Sequence, residues 1–310
     1  MNLILKAIRK ICKLLNPPYG KILLPHSIVE KRIWLEREKL MPQKMLKNVI
    51  KFFLPNVIIV LYRQYNKFLK HKKKNQNIQK KFIFDIILSV GDACRPAYYL
   101  KKHDLRFYAN PLDWMMSYSL DTVIHLYKTK FNDFFVDFVE DKQKSLEYNC
   151  HWYIDNKNNI ISMHYKDIES NNRMFRDKMV ARFDKINNIL LNANKICFIS
   201  NRSESIDVYK SFLEKMSKMY FGNMTYINIR NHEDIDAISP TFNHYKEKMS
   251  DKLELIEYEF NDIHPQGNDL KINDDVWIGN YTFWDNIMKG ISVKYKLLSF
   301  LSFWKNRNID

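Results

Sequence analysis

From Phe82 onward the chain alternates short β-branched, apolar runs with longer segments of helical periodicity. That alternation limits the fold more than any other feature. The runs are FIFDIILSV (82–90), NIISMHY (159–165), KICFIS (195–200), MTYINIR (224–230) and KLELIEYEF (252–260). Between them lie RPAYYLKKH (95–103), SLDTVIHLYKTKFNDFFVDF (119–138), RMFRDKMVARFDKINNILLNA (173–193) and IDVYKSFLEKMSKMY (206–220), which carry apolar residues at helical spacing. Pro96 is tolerated in a first helical turn, and Ser119 with Asp121 suits a helix start. Strands alternating with helices of this length predict an α/β fold with an open, mostly parallel sheet flanked by helices. There is no internal repeat, no P-loop and no Gly-x-Gly-x-x-Gly.

The first quarter of the chain has a different composition. The net charge is +15 over 310 residues. Residues 1–80 hold 19 Lys and Arg against 3 Asp and Glu, a net of +16, so the remainder nets −1. A basic arm is a weaker sign of nucleic-acid binding than a basic groove in a folded domain, and nucleic acid is not expected as a partner. Leu3, Ile4, Ile8, Ile11, Leu14 and Leu15 would line one helical face, with Lys6, Arg9, Lys10 and Lys13 around it. The segment predicts a basic, helical N-terminal arm that either lies on an anionic membrane surface or packs on the main domain. HKKKNQNIQKK (71–81) reads as a linker, which gives an arm at 1–80 and an α/β catalytic-type domain at 81–310. No stretch reaches the ~20 apolar residues of a spanning helix, and the N-terminus lacks a signal-peptide pattern. Cys12, Cys94, Cys150 and Cys197 show no CxxC and no metal-type spacing, as expected of reduced thiols. The expected location is cytoplasmic, on the inner face of the membrane if the arm binds it. No cofactor or metal is expected.

Cys94 occupies the most informative position. In ILSVGDACRPAYYL (87–100) a strand ends at Gly91–Asp92 and a helix begins just past the cysteine. Open parallel sheets place their sites at the carboxyl ends of the strands. A helix N-terminus there would stabilise a thiolate, lower its pKa from the usual ~8.5 and offer N–H groups to an oxyanion. Arg95 adds a positive charge alongside. A thiol nucleophile needs a basic partner. His264, in EFNDIHPQG after the last strand, and His164, at the end of NIISMHY, both qualify, and Asn261 and Asp262 could orient His264. Asn201 and Arg202, in SNRSE after another strand, could hold an anion or oxyanion, as could Gly91 and Asp92.

These residues resemble a known family. LSVGDACRPAYYLKKHDLR, then NPLDWMMS, then MHYKD, are similar to a bacterial family of papain-like cysteine peptidases, a domain of unknown function. Its members show a strand ending in Gly-x-x-Cys, a Pro-Phe-Asp-Trp motif and a downstream His. Here the second motif is Pro111-Leu112-Asp113-Trp114, with Leu in place of Phe. The resemblance extends over roughly residues 82–290. It implies Cys94 as nucleophile with His164 or His264 as its partner. Asp113 and Trp114 read as braces beside the cysteine or as substrate contacts. A looser resemblance is to Ser-Gly-Asn-His hydrolases and acetyltransferases. Gly91-Asp92-Ala93-Cys94 here has Ala at the serine position, and Asn261-x-x-His264-Pro265 has Asn for the usual Asp, so that mechanism does not transfer directly.

The residues therefore predict a cysteine-dependent acyl-handling enzyme, a thiol hydrolase or peptidase or else an acyltransferase, acting on an acyl, peptide or glycan substrate. One alternative is a glycosyltransferase-like or sugar-phosphate-binding enzyme of surface-glycan biosynthesis. In it Arg95, Arg106 and Arg202 hold phosphates and Cys94 is structural. The other is a non-enzymatic, membrane-tethered module.

Overall fold

The computed structural model describes residues 82–166, 168–233, 235, 243–267 and 275–294. The arm expected at 1–80 lies outside the described residues.

Three sheets form. The central one has five strands in the order β2 (Ile86–Ser89), β7 (Lys195–Ser200), β8 (Asn223–Asn231), β10 (Leu253–Phe260), β9 (Asn243–Lys248). The first four are mutually parallel, and β9 closes the edge antiparallel to β10. The expected open, mostly parallel α/β sheet is therefore present. The four parallel strands are buried on both faces along most of their length, so their side chains alternate between two cores, while the edge strand β9 is largely exposed. Ile86, Leu88, Ile196 and Phe198 face one core; Ile87, Cys197 and Ile199 face the other.

Helices cover both faces. The first core takes side chains from α2 (Leu120–Lys128), α4 (Asn172–Leu190) and α5 (Ile206–Ser217). The second takes them from α1 (Arg95–Lys102) and α6 (Tyr281–Lys289). There Tyr99 of α1 stacks flat on the fully buried Trp284 of α6, with centroids 4.6 Å apart. A short helix α3 spans Lys142–Glu147. Ser119 caps α2 by accepting from the Thr122 N–H at 3.0 Å, as its position in the sequence predicts.

The structure differs from the sequence expectation in three places. FIFDIILSV is two strands. Asp85 breaks the run by accepting from the Asn194 and Lys195 N–H groups at 2.8 and 3.0 Å. The piece before it, β1 (Phe82–Phe84), pairs in parallel with β11 (Ile291–Val293). The helix expected over 119–138 stops at Lys128, because Lys130, Phe131 and Phe135 adopt positive φ. The third difference is an antiparallel sheet in the order β3 (Met115–Met116), β6 (Ile160–Ser162), β5 (Tyr153–Asp155), β4 (Phe138–Glu140). It is inserted between α1 and α4, and the alternation pattern did not separate it from the parallel sheet.

Candidate active site

Because β2, β7, β8 and β10 are parallel, their carboxyl ends share one edge of the sheet. At this edge β2 leads through Gly91 into the start of α1, and Cys94 is the residue that caps that helix. A Cβ on Gly91 would stand 2.6 Å from Asn201 Oδ1 and 2.8 Å from Pro96 Cγ, so glycine lets the loop close against β7. The Tyr98 N–H donates to the Cys94 carbonyl at 3.0 Å. Cys94 itself is 8% exposed.

The cysteine's partner comes from the inserted sheet. Cys94 Sγ lies 3.3 Å from His164 Nε2, within hydrogen-bonding range for sulfur. His164 follows β6 by two residues. Antiparallel pairing of β3 with β6 sets Met115 opposite Ser162 and Met116 opposite Ile161. Continued past the paired residues, that register brings Trp114 beside the segment holding His164. The Trp114 and His164 rings meet edge to face, with centroids 5.5 Å apart.

Asp113 anchors the other side of Trp114. Its buried carboxylate accepts from Ser89 Oγ at 2.6 Å, Arg106 Nε at 2.5 Å and the Asn110 N–H at 2.8 Å. Asn110 Nδ2 donates to the Ser89 carbonyl at 2.8 Å, tying the same loop to the end of β2. Asp113 thus ties the motif to the end of β2, and Trp114, the next residue, packs on His164.

The electrostatics reverse one expectation. The helix start was expected to lower the thiol pKa. Burial instead pushes the Cys94 thiol up to about 12, and the nearby Asp113 carboxylate adds to the rise. Desolvation holds His164 below the usual imidazole value, although the residue as a whole is exposed. Both directions favour a neutral thiol against a neutral imidazole in the resting site.

The other sequence candidates occupy definite places. Asp262 lies at the end of β10, where it forms an ion pair with Arg95 and accepts from the Asn280 N–H at 2.8 Å and Trp284 Nε1 at 2.9 Å. Arg95 Nε also donates to the Trp277 carbonyl at 2.7 Å. These bonds tie the start of α1 to α6. Asn261 Nδ2 donates to the Glu233 carbonyl at 3.1 Å, and its Oδ1 accepts from the Ile263 N–H at 3.1 Å. His264 is buried, accepts from the Gln266 N–H through Nδ1 at 3.2 Å and meets the Tyr281 ring edge to face. It is not the hydrogen-bond partner of Cys94.

Arg202 is 2% exposed and serves as a clamp. It donates to the Val90 carbonyl at 2.8 Å, the Tyr118 carbonyl at 2.5 Å and Glu204 at 2.7 Å. Arg95 and Arg202 are thus committed to internal partners, which removes two of the three arginines expected to hold phosphate. Asn201 Oδ1 is buried against the Gly91 loop with no hydrogen-bond partner. Asp92 is half-buried, its carboxyl raised by burial, and its carbonyl accepts from the Ser117 N–H at 3.0 Å. Among the described residues no group of His, Cys, Asp and Glu side chains could hold a metal, and no helix is long and apolar enough to cross a membrane.

Sequence reasoning missed Ser89, Asn110 and Arg106 as parts of the Asp113 network. Their signal was in the sequence, since Arg106 and Asn110 shortly precede the Pro-Leu-Asp-Trp motif and Ser89 ends the strand before it.

The site thus sets a cysteine at a strand-to-helix junction within hydrogen-bonding range of a histidine. Residues 85–234 match the model of the family described as putative papain-like cysteine peptidase (DUF1796), the family that the sequence resembles. The match ends short of the 82–290 span suggested by the motifs. Cys94, Asp113, Trp114 and His164 lie inside it, while Asn261, Asp262 and His264 lie beyond it. At the coarse level this supports a cysteine hydrolase. No curated protein and no solved structure matches the chain.

Proposed function

We propose that the chain is a thiol hydrolase of peptide bonds in which Cys94 is the nucleophile and His164 the general base. The observation that carries this is the 3.3 Å contact of Cys94 Sγ with His164 Nε2 inside the family-matched segment. With both groups neutral at rest, the proton moves as the bond forms. His164 Nε2 takes the thiol proton while Sγ attacks the scissile carbonyl, and the carbonyl π pair passes to oxygen. This needs the His164 tautomer with its proton on Nδ1.

In the first turn of α1 Pro96 has no N–H and the Tyr98 N–H is bonded to the Cys94 carbonyl, so the N–H groups of Arg95 and Ala97 receive the oxyanion. The Asn201 amide, turned to present Nδ2 across Gly91, adds a side-chain donor. Collapse of the tetrahedral species expels the amine, which leaves with the proton held by His164. Water, deprotonated by the same imidazole, then cleaves the thioester and returns Cys94 to the thiol. Trp114 and the Asp113 network hold the imidazole in place and touch no reacting atom.

The test is labelling by a peptidyl vinyl sulfone combined with hydrolysis of a mixed fluorogenic peptide pool. Cys94→Ala and His164→Ala should each abolish both signals, whereas His264→Ala should retain them. Loss of both in His264→Ala together with their survival in His164→Ala would sink the assignment.

A further inference from the structure

The rim beside the catalytic pair carries positive charge that the molecule itself leaves unused. Lys101 Nζ sits 6.0 Å from the centroid of the Trp114 ring, and the Arg106 guanidinium 5.9 Å from it. The same ring packs edge to face on His164, 5.5 Å away. Lys101 is exposed, and among the described residues its ammonium makes no hydrogen bond or ion pair. Its chain neighbour Lys102 is by contrast paired with Asp285 at 2.8 Å.

Arg106 is held by one atom, Nε, which donates to Asp113. Its two terminal NH2 groups have no acceptor among the described residues, and the side chain is 18% exposed. The carboxylate nearest along the chain, Asp104 on the turn after α1, is exposed and forms no ion pair among the described residues. One aromatic ring thus touches the catalytic imidazole and gathers two cations, of which only Arg106 has an acid partner.

We propose that Lys101 and Arg106, gathered around Trp114, form a subsite for a carboxylate of the substrate. The proposal rests on the peptide-hydrolase reading and names the substrate class of that site: peptides bearing an acidic group within a few residues of the scissile bond. The planar guanidinium offers a fork of N–H donors that matches a carboxylate, and Lys101 supplies a point charge. The indole supports both cations from its face. A carboxylate reaches this rim from an internal acidic side chain or from the chain terminus of the peptide.

The experiment separates the two sources and stands apart from catalysis. Matched short peptides, Glu against Gln at an internal position and free carboxylate against amide at the C-terminus, are titrated calorimetrically into the full chain carrying Cys94→Ala. The acidic member of one pair binds about tenfold tighter at low salt, and high salt shrinks the difference. Lys101→Glu erases the preference and Lys101→Arg restores it. A Glu–Gln difference assigns the subsite to a side chain, and a carboxylate–amide difference assigns it to the chain terminus. Equal affinities within both pairs, or no binding by any of the four peptides, overturn the proposal. Cleavage of the same peptides by the unaltered chain is read separately. Preference without cleavage refutes the hydrolase reading and leaves the subsite standing; cleavage without preference does the reverse.

Discussion

The neutral Cys94–His164 pair makes a measurable claim about the thiol. Its pKa rises from 9.0 to about 12, chiefly through burial. Three units correspond to about 4 kcal/mol against the thiolate in the resting site. At pH 7 the thiolate fraction falls from on the order of 10⁻² to on the order of 10⁻⁵. Iodoacetamide reacts only with thiolate, so Cys94 should be alkylated roughly a thousandfold more slowly than a thiol of ordinary pKa, before its 8% exposure is counted. Restricted access scales the rate at every pH alike, so the pH profile isolates the titration. Alkylation at Cys94, followed by peptide mass spectrometry, should climb about tenfold per pH unit through pH 10, well past the ~8.5 at which a free thiol levels off. His164→Ala should change this slope little while abolishing hydrolysis, because the imidazole acts when substrate is present. A plateau below ~8.5 that moves upward in His164→Ala would refute the reasoning. It would mean that a thiolate–imidazolium pair already exists at rest.

Two further predictions concern carboxylates and their partners. Asp262 is buried and paired with Arg95, so Asp262→Ala leaves a half-buried guanidinium beside Cys94 without its carboxylate, held among the described residues by the Trp277 carbonyl alone; unfolding in denaturant should show a loss of about 3 kcal/mol. Burial pushes the Asp133 carboxyl up, but hydrogen bonds from His125, Lys157 and Thr129 outweigh it and hold the pKa at about 2, against 3.8 unperturbed. A carboxyl depressed in the folded state binds fewer protons there than in the unfolded chain, so its contribution is complete above pH ~3.8 and vanishes as the pH falls toward 2. Asp133→Asn should therefore cost about 2 kcal/mol at pH 6 and almost nothing at pH 2. A stability difference that does not change across that window would contradict the assignment.

The parallel sheet was legible because its strands are buried on both faces and read as continuous β-branched runs between amphipathic helices. Cys94 was legible for the same reason, since the pattern fixes where β2 ends and α1 begins. The choice of histidine was not. Both His164 and His264 follow strands, and local sequence does not say which strands are neighbours. The order β2-β7-β8-β10 puts three strand spacings, about 14 Å, between β2 and β10. His264 therefore belongs to a different stretch of the same edge, where Asp262 serves Arg95 and α6. His164 reaches Cys94 only because a separate antiparallel sheet folds back over the end of β2, and its strands of two or three residues are too short to show a period.

That insertion gives the Pro-Leu-Asp-Trp motif its place in the site. Cys94 follows a strand of one sheet and His164 a strand of another, so something must set the distance between them. Asp113 bonds to the parallel sheet through Ser89, while Trp114, the next residue, rests on His164. A single peptide unit thus spans from the strand that leads to Cys94 to the ring of His164. Swapping either residue should disturb catalysis by displacing His164 rather than by removing a reacting group. The pH dependence of Cys94 alkylation should then be kept in Trp114→Phe while hydrolysis falls. An equal loss of both would show that Trp114 shapes the thiol's own environment instead.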